Sequence, residues 1–305
     1  MKTAAPIIAL LAGIQGTSAL TTLRQEAAKK DILIGSGAIN PSYLDDPQFA
    51  TVLAQQFNSL SPENELKWNF IHPTEDYYDW SKIDRLVAFA EDHDMVVKGH
   101  GLISSCCNPD YLLNLTDPTE LRSAMTAHFE AIMHRYNGKV DRWDVVTEVL
   151  ETLADQDAKL FINENQVEAY PGKRQELYNL VSGLVADGVP IDGVALQMHV
   201  TEGVPVPQGV IMEMVNSFNA LGLETTIAEL DVHTLNATLQ TEIYGDLVSE
   251  SLHAGITDVS FWGFTDKHAY TWIEGAKPLM FDECYHPKGA YYATHAALRS
   301  FVNGH

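Results

Sequence analysis

Short apolar segments alternate with longer amphipathic segments along most of the chain. The apolar segments are rich in residues that favour strands, and the amphipathic segments have helical periodicity. The predicted strands are Ile32–Ala38, Phe57–Ser61, Val96–Leu102, Arg142–Glu148, Lys159–Asn163, Gly193–His199, Thr225–Asp231 and Val259–Thr265. The predicted helices are Pro47–Phe57, Ser81–Asp92, Pro118–Tyr136, Gly172–Asp187, Gln208–Leu221, Leu239–Ala254 and Lys288–Phe301. This alternation predicts βαβ units and a parallel sheet.

Eight predicted strands favour a closed barrel over an open doubly wound sheet, so we expect an α/β protein with a (β/α)8 TIM barrel. The first strand is not followed by a glycine-rich phosphate loop, which argues against a dinucleotide-binding fold. Linkers, repeats and low-complexity segments are absent from the sequence. We therefore expect one catalytic domain over residues 20–305.

One connection departs from the regular pattern. Ten residues separate Glu148 from Lys159, whereas a parallel crossover usually takes a dozen or more and contains a helix. Ten extended residues span roughly 33 Å, so the crossover is geometrically possible. We therefore predict that the fourth helix of the barrel is shortened or missing.

The N-terminus has the features of a secretory signal peptide over residues 1–19. Lys2 supplies a positive charge, Ile7–Ile14 is a short apolar run, and Thr17-Ser18-Ala19 is a small-residue cleavage pattern. The apolar run is too short to span a bilayer. We expect a secreted, extracellular protein that is not in the membrane, with glycosylation at the sequons of Asn114 and Asn236.

The charge balance restricts the partners of this chain. The 305 residues include 41 acidic and 19 basic side chains, for a net charge of −22. Such a surface repels phosphate backbones, so we do not expect nucleic acid as a partner. A neutral carbohydrate polymer or a small glycoside suits it better, and we expect a monomer.

The cysteine content is odd, with Cys106, Cys107 and Cys284. An odd number in a secreted protein leaves at least one thiol free or paired between chains. A bridge from Cys284 to either of the other two is possible if their loops meet. The sequence has neither a CxxC pair nor histidines at zinc spacing, so we do not predict a metal site.

In barrels of this type, the functional residues lie at the C-terminal ends of the strands. In this sequence the predicted strand ends carry polar and aromatic residues. They include Glu63, Asn64, Lys67, His100, Thr147, Glu148, Gln197, His199, Glu229, Asp231, Trp262 and Trp272.

Glu148 and Glu229 are the candidates for catalysis. Each one closes a strongly apolar strand, where an uncompensated carboxylate costs several kcal/mol, roughly, to bury. A pair of carboxyl groups about 5–5.5 Å apart is the machinery of retaining glycosidases, and this chemistry needs no cofactor. The alternative is that each glutamate is a structural acid paired with Lys or Arg.

Several stretches resemble glycoside hydrolase family 10, the xylanase family, in order and spacing over nearly the whole mature chain. Any one motif is weak, but the ordered set is highly specific. The matching stretches are Phe57-Asn58, Pro62-Glu63-Asn64-Glu65-Leu66-Lys67-Trp68, Lys98-Gly99-His100, Trp143-Asp144-Val145-Val146-Thr147-Glu148, Gln197-Met198-His199, Ala228-Glu229-Leu230-Asp231, Trp262-Gly263-Phe264-Thr265-Asp266-Lys267 and Phe281-Asp282-Glu283.

The resemblance implies a role for each candidate residue. Glu148 would be the acid/base and Glu229 the nucleophile. The glycone side would be lined by Glu63, Asn64, Lys67 and His100. Gln197 and His199 would flank the nucleophile, with His199 and Asp231 keeping it ionised and oriented. Trp262 and Trp272 would form the sugar platform.

The chain also departs from the family pattern. Thr147 stands where the family usually has an asparagine that contacts the 2-hydroxyl of the −1 sugar. Ser104 and Ser105 replace a Trp-His pair, which predicts a wider and wetter −1 pocket. Asn165 replaces a common tyrosine, and the segment after Glu148 is shorter by about one helix.

Three functions follow from this pattern. The first is a retaining β-glycosidase, most simply an endo-β-1,4-xylanase acting on plant cell-wall xylan. The second keeps the chemistry but acts on another β-glycoside such as a plant saponin, because the wider pocket would admit a C6 hydroxymethyl group. The third is a carbohydrate-binding pseudoenzyme that keeps both glutamates without turnover.

Overall fold

The structure is a computed structural model that describes residues 20–104, 106–147 and 158–304, with the main chain only for residues 145–147. Every neighbouring pair of strands in its sheet is parallel. The strands are β1 (Leu33–Ile39), β2 (Ser59–Pro62), β3 (Val96–Ser104), β4 (Val140–Thr147), β5 (Lys159–Glu164), β6 (Gly193–Leu196), β7 (His199–Thr201), β8 (Glu224–His233) and β9 (Asp258–Phe261).

The sheet closes on itself. Strands β1 to β6 pair in sequence order, β6 pairs with β8, β8 with β9, and β9 with β1. The short strand β7 adds to the C-terminal half of β8, with His199 opposite Asp231. The predicted (β/α)8 barrel is therefore confirmed.

Helices connect the strands around the outside of the barrel. They are α1 (Leu23–Ala27), α2 (Pro47–Gln56), α3 (Trp68–Ile71), α4 (Ser81–Asp92), α5 (Asp110–Leu113), α6 (Pro118–Tyr136), α7 (Pro171–Ala186), α8 (Val210–Asn219), α9 (Ala237–His253) and α10 (Gly289–Val302). The seven predicted helices correspond to α2, α4 and α6 to α10, while the short helices α1, α3 and α5 were not predicted. In the described part of the chain, none of these helices has the length and apolarity needed to cross a bilayer.

The start points of three helices follow directly from local sequence. Asp46, Asp117 and Asn236 each accept a hydrogen bond from a main-chain N–H in the first turn of α2, α6 and α9. Proline occupies the first position of α2 and α6, where its missing N–H costs nothing. Such caps stabilise a helix by about 1 kcal/mol, and they explain why these starts were predicted to within a few residues.

Three strand boundaries differ from the prediction for identifiable reasons. The side chain of Asn58 bonds the main chain of Ile34 at 2.7 Å and of Ile32 at 2.9 Å, and β2 begins at Ser59, two residues later than predicted. Met198 has a φ of 65°, which separates β6 from β7 within the strand predicted as Gly193–His199. Gly263, with a φ of 95°, turns the chain soon after β9 ends.

Residues 148–157 lie outside the described residues, so the shortened or missing fourth helix remains a prediction. The signal segment 1–19 also lies outside them. The ends of the connection are clear: β4 and β5 are direct parallel neighbours, with Arg142 opposite Lys159.

Inside the barrel, a group of buried charges links opposite strands. Asp258 of β9 accepts hydrogen bonds from Lys98 of β3 and, at 2.7 Å, from Arg142 of β4. Lys98 also donates to the Ser260 hydroxyl. Two cations on one carboxylate compensate the cost of burying Asp258, whose side chain is only 3% exposed.

A second buried polar group lies between α3 and α6, outside the barrel strands. The Nδ1 atoms of His72 and His128 are 3.1 Å apart, and the Trp68 ring stacks on His128 at 3.8 Å. Tyr111 accepts from the Trp68 indole at 2.6 Å and meets His72 Nδ1 at 3.0 Å. Tyr78 stacks on His72 at 3.8 Å.

Burial keeps both imidazoles neutral. Burial lowers the pKa of His72, and burial together with the nearby His72 lowers the pKa of His128 well below its usual 6.5. Two Nδ1 atoms at hydrogen-bond distance need one donor and one acceptor, so protonation of both rings breaks the contact.

We expect the free energy of unfolding to fall as the pH drops below about 6.5. The folded-state pKa values of His72 and His128 are depressed, so their contribution is complete above the unfolded-state pKa and is lost below it. Each histidine contributes a slope of about 1.4 kcal/mol per pH unit in that range. Urea unfolding between pH 7.5 and 5.5 measures the slope.

The variant His128→Gln should show a smaller slope than the wild type. The matched variant His134→Gln changes an exposed histidine on the same helix α6 and should leave the slope unchanged. Equal slopes in the wild type and His128→Gln would contradict this assignment.

Candidate active site

Glu229 lies in the middle of β8 and is only 4% exposed. Its Oε1 atom accepts a hydrogen bond of 2.6 Å from the Asn163 side chain on β5. Its Oε2 atom is 3.2 Å from Nε2 of His199 on β7. A buried carboxyl group is thus held from two sides by side chains of other strands.

His199 lies between two carboxyl groups. Its Nδ1 is 2.9 Å from Oδ1 of Asp231, while Nε2 faces Glu229. Burial opposes a charged imidazole, but the charge of Asp231 and hydrogen bonds to Asp231 and Glu229 outweigh it and raise the pKa of His199 to about 10. At neutral pH the ring is therefore a cation that donates from both nitrogens.

This cation controls the charge of Glu229. Burial favours the neutral acid, but the hydrogen bond from His199, the nearby His100 and the amide of Asn163 hold the pKa of Glu229 below its ordinary value. A fully buried carboxylate that stays ionised at neutral pH is a preorganised nucleophile or electrostatic stabiliser.

His100 and Asp144 extend the network across the barrel. His100 Nδ1 is 3.3 Å from Oδ2 of Asp144 and 3.8 Å from Oε1 of Glu229. The amide nitrogen of Asn163 is also 3.2 Å from the same Asp144 oxygen. One asparagine therefore bridges two carboxylates from β4 and β8.

Asn163, Asp144 and His233 were not predicted as site residues from the sequence. Asn163 had a usable signal, since it is the one amide in the apolar stretch Leu160 to Asn163. His233 is fully buried, with Nε2 2.9 Å from Oδ1 of Asp231. No feature of the local sequence indicates that contact.

Two tryptophans border the network on one side. The Trp262 ring lies 4.9 Å from His100 and 6.3 Å from His199, and it packs over Gly37, where a Cβ would be 2.8 Å from the ring. Trp272 is 48% exposed, stacks on His233 at 4.0 Å and meets His199 edge-on at 5.5 Å. The aromatic pair thus presents ring surface next to the buried carboxylate.

The residues after β2 form a separate polar group. Lys67 Nζ donates to Asn64 Oδ1 at 3.0 Å, and the stem of Lys67 lies against Gly101 of β3. Glu63 is half-buried and its main-chain N–H donates to Ile39 at 3.3 Å. These side chains present donors and acceptors of the kind that bind sugar hydroxyl groups.

Other predicted residues lie as follows. Gln197 directly follows β6, is half-buried, and its main-chain N–H donates to Glu164 at 3.1 Å. Thr147 ends β4 opposite Ser104. Glu148 and Ser105 lie outside the described residues.

Both glycosylation sequons are on the surface. Asn114 is exposed just after α5, and Asn236 is exposed at the start of α9. The Asn236 Oδ1 atom accepts from the N–H groups of Thr238 and Leu239, each at 3.1 Å. The Nδ2 atom, to which a glycan is attached, is not used by this cap.

Two side-chain groups have the composition of metal ligands: His199, Asp231 and His233, and His100, Asp144 and Glu229. In each group the candidate ligand atoms lie within 4.8 Å of one another. In the first group, His199 already donates to carboxylates from both nitrogens, so a metal would have to displace these hydrogen bonds.

The comparisons with known proteins point to one family. The family model "Glycosyl hydrolase family 10" matches residues 22–153 and 151–297. Its two parts meet in the connection between β4 and β5, where the sequence predicts a shortened segment. Endo-1,4-beta-xylanase B of Thermotoga neapolitana is 31% identical over 314 residues, covering 89% of this chain and 90% of that protein.

Solved structures give the same result. Xylanase 10B of Thermotoga petrophila RKU-1 in complex with xylobiose has a TM-score of 0.86 and 30% identity, covering 94% of this chain and 100% of that chain. Native xylanase 10B of Thermotoga maritima has a TM-score of 0.85 at 30% identity, with 93% and 100% covered. The barrel, the family model and these relatives together show that the chain belongs to glycosyl hydrolase family 10.

Proposed function

We propose that this protein is a secreted, retaining endo-β-1,4-xylanase in which Glu229 is the nucleophile and Glu148 the acid/base. The observation that carries the proposal is the buried, ionised Glu229, held by Asn163 and His199 in a barrel of family 10. Its relatives are named xylanases, and one of them was solved in complex with xylobiose. Both facts support xylan as the substrate class.

The reaction proceeds in two steps. Glu148 gives its proton to the glycosidic oxygen while an Oε atom of Glu229 attacks the anomeric carbon, and the leaving sugar departs. Water then attacks the glycosyl-enzyme with Glu148 as base, which releases the sugar with its β-configuration retained. Glu148 carries out both proton transfers and Glu229 forms the covalent bond, so the reaction needs no cofactor.

The surrounding residues bind and orient the sugar. His199 and Asp231 keep Glu229 ionised, and Trp262 and Trp272 offer ring faces on which pyranose rings stack. Glu63, Asn64 and Lys67 hydrogen-bond glycone hydroxyl groups together with His100. Gln197 flanks the nucleophile, and Thr147 lies beside Glu148 at the end of β4.

The setting of the enzyme follows from the remaining features. The strongly acidic chain acts as a monomer outside the cell, without nucleic-acid or membrane partners, after removal of residues 1–19. Asn114 and Asn236 carry glycans. At Asn236, the glycan on Nδ2 and the helix cap through Oδ1 can coexist on one side chain.

One observation favours a broader substrate range. Ser104 stands where the family motif has tryptophan, and its hydroxyl donates to the Cys106 carbonyl at 2.6 Å. A small side chain that bonds its own loop leaves room beside the −1 sugar. β-Glycosides with a C6 hydroxymethyl group, including saponins, are therefore the second candidate substrates.

We expect Glu229→Gln to lower kcat on xylan by about 10³-fold or more. Glu224→Gln is a matched control, because Glu224 begins the same strand β8, is exposed and pairs with Lys159; it should retain activity. With an activated aryl xyloside as substrate, Glu148→Ala should hydrolyse the glycosyl-enzyme slowly, and azide should restore turnover. Wild-type-like activity of Glu229→Gln with unchanged circular dichroism would contradict the nucleophile assignment.

We expect Asn163→Ala to raise the pKa of Glu229, because burial remains while a donor is lost. The acidic limb of kcat/KM should move to higher pH, with activity on that limb reduced about tenfold, since a hydrogen bond to a charged group contributes about 1.5–3 kcal/mol. Asn165→Ala changes an exposed asparagine two residues further on and should leave the profile in place. If the acidic limb of the kcat/KM profile is unchanged in Asn163→Ala, Asn163 does not lower the pKa of Glu229.

A substrate panel tests the specificity. We expect the highest kcat/KM on xylan, with measurable hydrolysis of cello-oligosaccharides or aryl β-glucosides, and Ser104→Trp should reduce the glucoside activity about tenfold relative to xyloside activity. Hydrolysis of a steroidal saponin alone would instead indicate the second candidate. Binding of xylan without turnover would indicate a pseudoenzyme.

A further inference from the structure

The loop after β3 brings two adjacent thiols together. The Sγ atoms of Cys106 and Cys107 are 2.6 Å apart, and both are free thiols. Cys106 is exposed and Cys107 is partly buried. The separation is longer than the about 2.05 Å of a disulfide, yet it is short enough that a small movement would join the two sulfurs.

The surrounding bonds hold this loop in an uncommon conformation. Cys107 has a φ of 67°, in the left-handed region that residues other than glycine rarely adopt. The Cys107 carbonyl accepts from the Asn69 N–H at 2.8 Å, and the Asn108 side chain donates to the Ser104 carbonyl at 3.2 Å. The conformation that places the thiols side by side is thus imposed by the loop and by α3.

The two thiols differ in reactivity. Burial raises the pKa of Cys106, but hydrogen bonds from Cys107 and Ser104 and the charge of Lys67 outweigh it and lower the pKa. Burial and the neighbouring Cys106 raise the pKa of Cys107. Since the thiolate is the reactive form, the exposed Cys106 reacts first and Cys107 is the resolving partner.

The pair is also next to the polar group of the candidate site. The charge of Lys67 acts on both thiols, and Lys67 directly precedes α3, whose Asn69 bonds the Cys107 carbonyl. The cysteine loop and the Lys67–Asn64 pair are therefore both attached to the N-terminal end of α3.

We propose that Cys106 and Cys107 are a redox modification site that closes to a vicinal disulfide, and that the closed form strengthens sugar binding beside Lys67. The oxidant is a low-molecular-weight disulfide such as oxidised glutathione. The Cys106 thiolate attacks one of its sulfurs and releases one glutathione thiolate. The Cys107 thiolate, having lost its proton to solvent, then attacks Cys106 Sγ and releases the second glutathione thiolate. Oxidised glutathione is reduced to two thiols as the Cys106–Cys107 disulfide forms.

Two physical effects connect the bridge to sugar binding, and this part rests on the proposed function. The closed ring removes freedom from the loop that packs on α3, so less entropy is lost when sugar binds. It also removes an ionisable thiol on which the charge of Lys67 acts. Neighbouring Cα atoms are about 3.8 Å apart, closer than the about 4.4–6.8 Å of ordinary disulfides, which makes such a bridge readily reducible.

Thiol counting tests the modification without reference to activity. The full-length protein is equilibrated with reduced and oxidised glutathione at several ratios and alkylated, and intact mass and peptide mapping are recorded. Of the three cysteines, we expect all to be alkylated in the reduced protein and Cys284 alone in the oxidised protein. Cys284→Ser should lose both remaining alkylation sites on oxidation, whereas Cys107→Ser should stop at a glutathione adduct on Cys106. Three alkylated cysteines at every ratio, or a bridge to Cys284, would overturn the proposal.

The kinetic arm tests the link to Lys67. We expect KM for a xylo-oligosaccharide to be about threefold lower in the oxidised protein, with kcat unchanged. The double variant Cys106→Ser/Cys107→Ser should show no dependence on glutathione ratio. If the thiol count changes but KM is the same in the reduced and the oxidised protein, the proposed effect on sugar binding is wrong. Absence of hydrolysis would count against the proposed function, and the thiol count would still decide the modification.

Discussion

The arrangement of this site depends on one constraint: an ionised carboxylate is buried within a parallel strand. Glu229 is 4% exposed, yet its pKa is held below the ordinary value. Such a charge is tolerated only where donors surround it. Asn163 and His199 supply the hydrogen bonds, and Asp231 supplies the charge that keeps His199 cationic. The closed barrel is what brings β5, β7 and β8 close enough to do this.

The fold was predictable because its signals are local. The caps at Asp46, Asp117 and Asn236 mark helix starts, and parallel strands buried on both faces appear as apolar runs. The predicted boundaries were wrong where a single residue changes the main-chain direction, as at Met198 and Gly263. A positive φ at methionine has no sequence signature, so the division of β6 from β7 could not be anticipated.

The site was predictable in part, and mostly through ordered motifs. Glu229, His199 and Asp231 are brought together as the resemblance implied. Asn163 and Asp144 were missed because their roles arise from pairing between strands that are distant in sequence. His233 was missed for the same reason, since a buried histidine in a strand has many explanations. The polar residues after β2 were predicted as sugar ligands, and the structure joins Lys67 to Asn64.

The stacking of Trp272 on His233 joins the open surface of the protein to the buried carboxylate of Glu229. Trp272 contacts His233, His233 faces Asp231, Asp231 holds His199, and His199 holds Glu229. A sugar ring stacked on the exposed Trp272 indole therefore contacts the outermost residue of a series of packed rings and carboxylates that ends at Glu229. Sugar stacking on Trp272 and the orientation of the Glu229 carboxylate are therefore coupled. Truncation of the Trp272 indole would remove a binding face and would also loosen the position of Glu229.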